Sequence, residues 1–141
     1  MMAVQPLSNH HAQRICRLCV MLIVAGVAGA ASAGADRIEA GSFRVSYESG
    51  MAPLRINVMH SWILTVETAS GDPVVGADIK VTGGMPQHNH GLPTAPRVTA
   101  EVEPGRYLVE GMKFHMNGHW QVTFEISARG ETNTATFELD I

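Results

Sequence analysis

The sequence predicts an all-β fold, an immunoglobulin-like β-sandwich of about seven to eight strands preceded by a signal peptide. Three observations carry that prediction. Short β-branched and aromatic runs recur after Ala35, turn residues separate them at intervals of about 8–12 residues, and no helical periodicity of useful length appears. The chain has 141 residues, and with about the first 35 set aside as a leader the remainder suffices for one core.

The leader is read from its charge and apolar order. Arg14 and Arg17 precede an uncharged stretch from Leu18 to Ala35, whose apolar centre is Leu18-Cys19-Val20-Met21-Leu22-Ile23-Val24-Ala25. It ends in the small residues Ala30-Ala31-Ser32-Ala33-Gly34-Ala35. A positive start, a short apolar centre and an A-x-A close make a secretory signal cleaved after Ala33 or Ala35. The alternative is an uncleaved anchor, because 18 uncharged residues lie at the lower limit for spanning a bilayer. The expected domain is therefore 36–141, exported to the periplasm or the extracellular space. Both cysteines, Cys16 and Cys19, fall in the leader. The exported part then folds without disulfides, and any metal site in it must use His, Met or carboxylate.

Charge excludes some function classes. The chain has ten Lys/Arg and 13 Asp/Glu; removing Arg14 and Arg17 with the leader leaves eight against 13, a net charge of −5. An acidic domain with no basic run lacks the clustered positive charge that nucleic-acid backbones require. No G-x-x-x-x-G-K-[ST], G-x-G-x-x-G or H-E-x-x-H motif occurs, which argues against nucleotide binding and zinc-protease chemistry.

The strands are expected in order. Phe43-Arg44-Val45-Ser46-Tyr47 alternates at period two, Ile56 to Val58 follows, and Trp62 to Glu67 is the next run. Ala77 to Val81, Val98 to Val102, and Tyr107-Leu108-Val109 leading into Met112-Lys113-Phe114 come next; Trp120 to Ile126 and Thr134 to Ile141 close the chain. Ser70-Gly71-Asp72-Pro73, Glu103-Pro104-Gly105 and Arg129-Gly130 supply turn chemistry between them. The long segment from Gly83 to Pro96 shows no strand pattern. Pro86, Pro93 and Pro96 fix φ along it, so it reads as a shaped loop.

After the leader the histidines are His60, His88, His90, His115 and His119, and the methionines Met51, Met59, Met85, Met112 and Met116. Four of these five histidines fall in the Pro/His loop and in Phe114-His115-Met116-Asn117-Gly118-His119-Trp120. Loops cluster at the ends of a sandwich, so the two connections could share one end. Imidazole suits copper and zinc, and thioether sulfur selects copper(I). Met85, His88 and His90, completed by His115 or His119, are therefore candidate copper ligands. The competing reading of His88 and His90 is surface-loop histidines hydrogen-bonded to nearby carbonyls. His60, beside Trp62, reads as a structural histidine fixing a neighbouring carbonyl.

The second histidine segment also raises a register question. A type I′ turn at Asn117-Gly118 would mix polar and apolar residues on both faces. A three-residue loop ending at His119 instead pairs Met116 with Trp120, Phe114 with Val122 and Met112 with Phe124, with Gly111 as a bulge returning Val109 and Tyr107 inward. That register is preferred. It makes Met112 a core residue, leaves Met116 at the rim, and points His115 and His119 outward. Glu101, Glu103 and Glu110 read as a solvated strand face, and no Ser or Thr is placed beside a base and an acidic orienter, so the expectation is not an enzyme.

At these residues the sequence resembles the YtkA-like and FixH-type domain family of exported bacterial proteins. The resemblance runs from about Pro53 to Ile126. It rests on His60-Ser61-Trp62, Gly71-Asp72-Pro73-Val74-Val75-Gly76-Ala77, Met85-Pro86-Gln87-His88-Asn89-His90-Gly91, Gly105-Arg106-Tyr107 and Phe114 to Trp120. It implies a small extracytoplasmic β-sandwich with a role in copper handling, since FixH members are linked to assembly of a copper-containing terminal oxidase. By position it implies Met85, His88, His90 and Met116 as the site. The leader departs from FixH in ending like a cleavable signal. The expected function is a copper carrier or metallation accessory, with a membrane copper enzyme or its assembly factors as partner. The alternative is a metal-free interaction module that docks through the Pro/His loop, which an exposed apolar patch around Leu92 and Met85 would favour.

Overall fold

The computed structural model describes residues 37–141. The expected leader, with both cysteines and either cleavage position, lies outside the described residues. Nine strands are formed among the described residues: β1 (Ile38–Ala40), β2 (Phe43–Ser49), β3 (His60–Thr68), β4 (Asp78–Met85), β5 (His90–Gly91), β6 (Arg97–Glu103), β7 (Arg106–Met112), β8 (His119–Ala128) and β9 (Glu131–Asp140). They make two antiparallel sheets, ordered β1-β2-β3-β7-β6 and β5-β4-β8-β9. No described helix is long and apolar enough to cross a membrane.

Period-two alternation explains the core. Trp120, Val122, Phe124 and Ile126 of β8 are fully buried, as are Trp62, Leu64 and Val66 of β3. The residues between them remain partly accessible. Strand side chains point alternately to opposite faces, so each sheet offers one apolar layer to the other. Tyr47 stacks on Trp62 at 4.1 Å and meets Phe137 edge-on at 4.9 Å, which ties the two layers together. One buried hydroxyl serves the connections: Tyr107 donates to the Val74 carbonyl and accepts from the Ala77 amide at 3.0 Å.

Several expectations are corrected. Ile56 to Val58 forms no strand; it belongs to an irregular connection between β2 and β3 in which Ile56, Val58 and Met59 stay exposed. Isolated β-branched residues there have neither a neighbouring strand nor a period-two run to continue. The Gly83–Pro96 segment is not a single strandless loop, because β4 runs through Gly83 and Gly84 to Met85 and returns as β5. Glycine permits this close approach, since a Cβ on Gly84 would stand 2.5 Å from the His90 carbonyl oxygen.

The preferred register of the second histidine segment is also overturned. β7 pairs with β3 and β6, whereas β8 pairs with β4 and β9, so residues 113–118 cross from one sheet to the other. Phe114 and Val122 are both buried because they line the same interior from different sheets. The bulge itself is present: pairing shifts between His60↔Met112 and Trp62↔Val109, Gly111 has φ +86°, and Val109 and Met112 both point inward. Met112 is fully buried.

Glu101 is more than a solvated residue. Its carboxylate accepts the Gly76 amide at 3.0 Å and the Gly105 amide at 2.9 Å, joining two turns at the end of the sandwich away from the histidines.

Candidate metal centre

The strand registers gather one end of the sandwich. Ser49, His60, Met85, His90, Met112, His119 and Asp140 are terminal or near-terminal strand residues there, and the connections 50–59, 86–89 and 113–118 join them. The two histidine-bearing connections meet. His90 and His115 ring centres are 6.0 Å apart, and His88 and His90 ring centres are 6.4 Å apart.

A tight turn presents His88 and His90. The His88 amide donates to the Met85 carbonyl at 3.0 Å, and Asn89 sits at φ +51°, a conformation its short polar side chain tolerates. Both histidines are exposed. His115 is held differently. Its ring packs edge-on to Trp120 at 5.4 Å, and its Nδ1 is buried without a hydrogen-bond partner. Trp120 is fixed in turn, with its Nε1 donating to the Met116 carbonyl at 3.0 Å. A buried imidazole nitrogen without a partner leaves a desolvated group unsatisfied, which a ligand could relieve.

Other expected ligands stand elsewhere. Met85 is not a loop residue offering sulfur to solvent; it ends β4, is 1% exposed and packs in the core. Its terminal methyl lies beneath Gly118, where a Cβ would be 2.6 Å away. Met116, at 38% exposure, keeps an accessible thioether on the crossing that carries His115. His119 does not stand free: its Nδ1 meets Asp140 at 2.9 Å and its Nε2 meets Glu138 at 2.7 Å. Hydrogen bonding to Asp140, then to Glu138, raises its pKa above the ordinary imidazole value. The pairing follows from register, as His119 lies opposite Asp140 and Gln121 opposite Glu138 on one outer face. Sequence reasoning missed this pair of carboxylates because nothing local to His119 indicates that β9 is its neighbour.

His60 Nδ1 stands 3.2 Å from the Val58 carbonyl, while its Nε2, like His115 Nδ1, is buried without a hydrogen-bond partner. Beside the histidines, a shallow cleft of about 370 Å³ lies over sheet β5-β4-β8-β9, lined by Thr82, Gly84, Asn89, His90, Gln121 and Thr123 among others. Among the described residues, no three His, Cys, Asp or Glu side chains already converge as a metal cage. The patch expected around Leu92 and Met85 is likewise not on the surface, because both pack against the core.

Several known proteins resemble this chain. The YtkA-like family model matches residues 39–125. A DUF4426 family protein from Pseudomonas aeruginosa PAO1 is similar in fold, with a TM-score of 0.56 and 18% identity over 77% of this chain and 94% of that one. FetP from uropathogenic Escherichia coli strain F11, expressed in the periplasm, gives a TM-score of 0.48 at 10% identity, covering 76% of this chain and 93% of FetP. A copper-bound variant of that FetP gives 0.45 at 11%, covering 76% and 89%. Among curated proteins none matches this chain.

Proposed function

This chain belongs to the YtkA-like family, and we propose that it is an exported metal-binding protein, with copper as its metal, acting as a carrier or metallation accessory. The approach of His90 to His115 supports this most directly. Metal–nitrogen bonds near 2 Å, with a ring radius of about 1.2 Å on each side, separate the centres of two rings sharing an ion by about 5–6.5 Å. The observed 6.0 Å falls in that range.

The chemistry assigns roles. His115, packed on Trp120, is the fixed nitrogen donor; exposed His90 turns toward it, and His88 supplies a further nitrogen from the same turn. Met116 supplies the soft thioether that discriminates copper(I) from zinc. His119, occupied on both nitrogens, and Met85, packed in the core, stay outside the set. An exposed patch at Leu92 and Met85 would favour the metal-free docking reading, but Met85 is buried and Leu92 half-buried against the core.

The test is a competition titration with copper(I) and copper(II) on the domain from Asp36, beside a His88→Ala/His90→Ala variant whose folding is checked by thermal melt. Tight one-to-one binding lost in the folded variant supports the site. Equal binding by both proteins, or none by either, refutes it.

A further inference from the structure

Six large apolar side chains remain exposed among the described residues, and four of them, Ile56, Val58, Met59 and Met116, lie at the histidine end of the sandwich. They lie on two connections that meet. The Asn57 amide donates to the Phe114 carbonyl at 2.6 Å, which pins the β2–β3 connection to the crossing that carries Lys113 and Met116.

The charge around this surface is unusual for so acidic a domain. No Asp or Glu occurs within 50–59, 86–89 or 113–118, the connections that build this end. Arg37, Arg44, Lys80 and Arg106 each pair with a carboxylate; among the described residues Arg55, Arg97 and Lys113 at this end, and Arg129 at the opposite end, enter no ion pair. Of the carboxylates that do reach this end, Glu138 and Asp140 are turned to His119, and Glu110 stands opposite Arg97. Four of the six exposed apolar side chains and three of the four unpaired cations therefore share one end of a domain whose net charge of −5 lies mostly at the other.

We propose that this end docks on an anionic lipid headgroup layer. Ile56, Val58 and Met59 enter the interface, while Arg55 and Lys113 meet the phosphates. Apolar side chains combined with basic ones are what interfacial binding requires. The acidic remainder is repelled by the same surface, so the molecule is oriented end-on. A bilayer fits better than an acidic protein because the apolar residues project from irregular connections and not from a strand edge that a folded partner could extend. This inference does not depend on metal binding, and metal-free protein tests it.

The experiment is vesicle co-sedimentation of the domain from Asp36, which contains every described strand and core residue. Vesicles of phosphatidylglycerol and phosphatidylcholine are compared with phosphatidylcholine alone, at low and at raised salt. Binding is expected only to the anionic vesicles and only at low salt, falling about five-fold for each cation removed in Arg55→Gln and Lys113→Gln. Met59→Asp, on an exposed side chain, weakens it without lowering the thermal midpoint. Equal binding to both vesicles, unchanged binding by the double cation variant, or no binding at all overturns the proposal. Association with polyglutamate but not with vesicles overturns it in favour of an acidic protein partner, and self-association in ultracentrifugation in favour of a second copy.

Discussion

The His115 ring lies 6.0 Å from that of His90, although one belongs to the crossing between sheets and the other to the β4–β5 hairpin. Two independent features create that proximity. The glycines of β4 let β5 lie close against it, and the inter-sheet crossing carries His115 over the end of the same sheet.

Removing either partner should therefore act on binding and spare the fold. His90→Ala is expected to weaken copper affinity by at least ten-fold with an unchanged thermal midpoint, since His90 is exposed and supports no core contact. His115→Ala should weaken binding similarly and also alter the fluorescence of Trp120, which its ring touches. Titration of both variants with melts alongside checks this. A His90→Ala protein that binds normally would remove this residue from the site.

His119 should leave its mark on stability and not on metal affinity. Its pKa is raised in the folded protein, through Asp140 first and Glu138 second. A raised folded pKa contributes stability that is present in full below the unfolded value of about 6.5 and is lost as pH rises through the folded value. Denaturant melts should show the parent losing more stability than His119→Gln between about pH 6 and pH 8.5. An equal loss in both proteins would contradict the clamp.

Tyr107→Phe removes a hydroxyl that bonds the Val74 carbonyl and the Ala77 amide. The expected cost is about 1–3 kcal/mol, because both backbone groups lose a partner in a poorly hydrated place. Urea denaturation measures it directly.

Gly118 has φ +133°, and a Cβ there would stand 2.6 Å from the Met85 terminal methyl. Gly118→Ala is expected to cost about 1–3 kcal/mol through backbone strain and displacement of Met85. In a Met85→Ala background the contact disappears and only the strain remains, so the same substitution should cost less. A double-mutant cycle by chemical denaturation reads the difference, and strict additivity would show that the two residues do not press on each other.

These cases show what a single sequence reveals. Alternation in Trp120 to Ile126 and in Phe43 to Tyr47 marked inward and outward faces correctly, because side-chain period is a local property. Pairing was not legible at the 113–118 crossing. Phe114 and Val122 share an interior whether their strands form a hairpin or belong to facing sheets, and the pattern of burial is the same in both. The Gly111 bulge was legible, since it alone returns Val109 and Met112 to one face. His119 was misread as free because its carboxylates come from β9, and Met85 was misread as a loop donor because two glycines before it hid the continuation of β4.

In the proposed site His90 and His115 share a copper ion, and His119 takes no part. Long-range nitrogen–proton NMR of the imidazoles tests it most directly, with copper(I) added because it is diamagnetic and leaves the ring signals visible. The ring nitrogens of His90 and His115 are expected to shift together and saturate at one equivalent, with His88 following and His119 unmoved. Shifts at His119, or at none of the histidines, would contradict it.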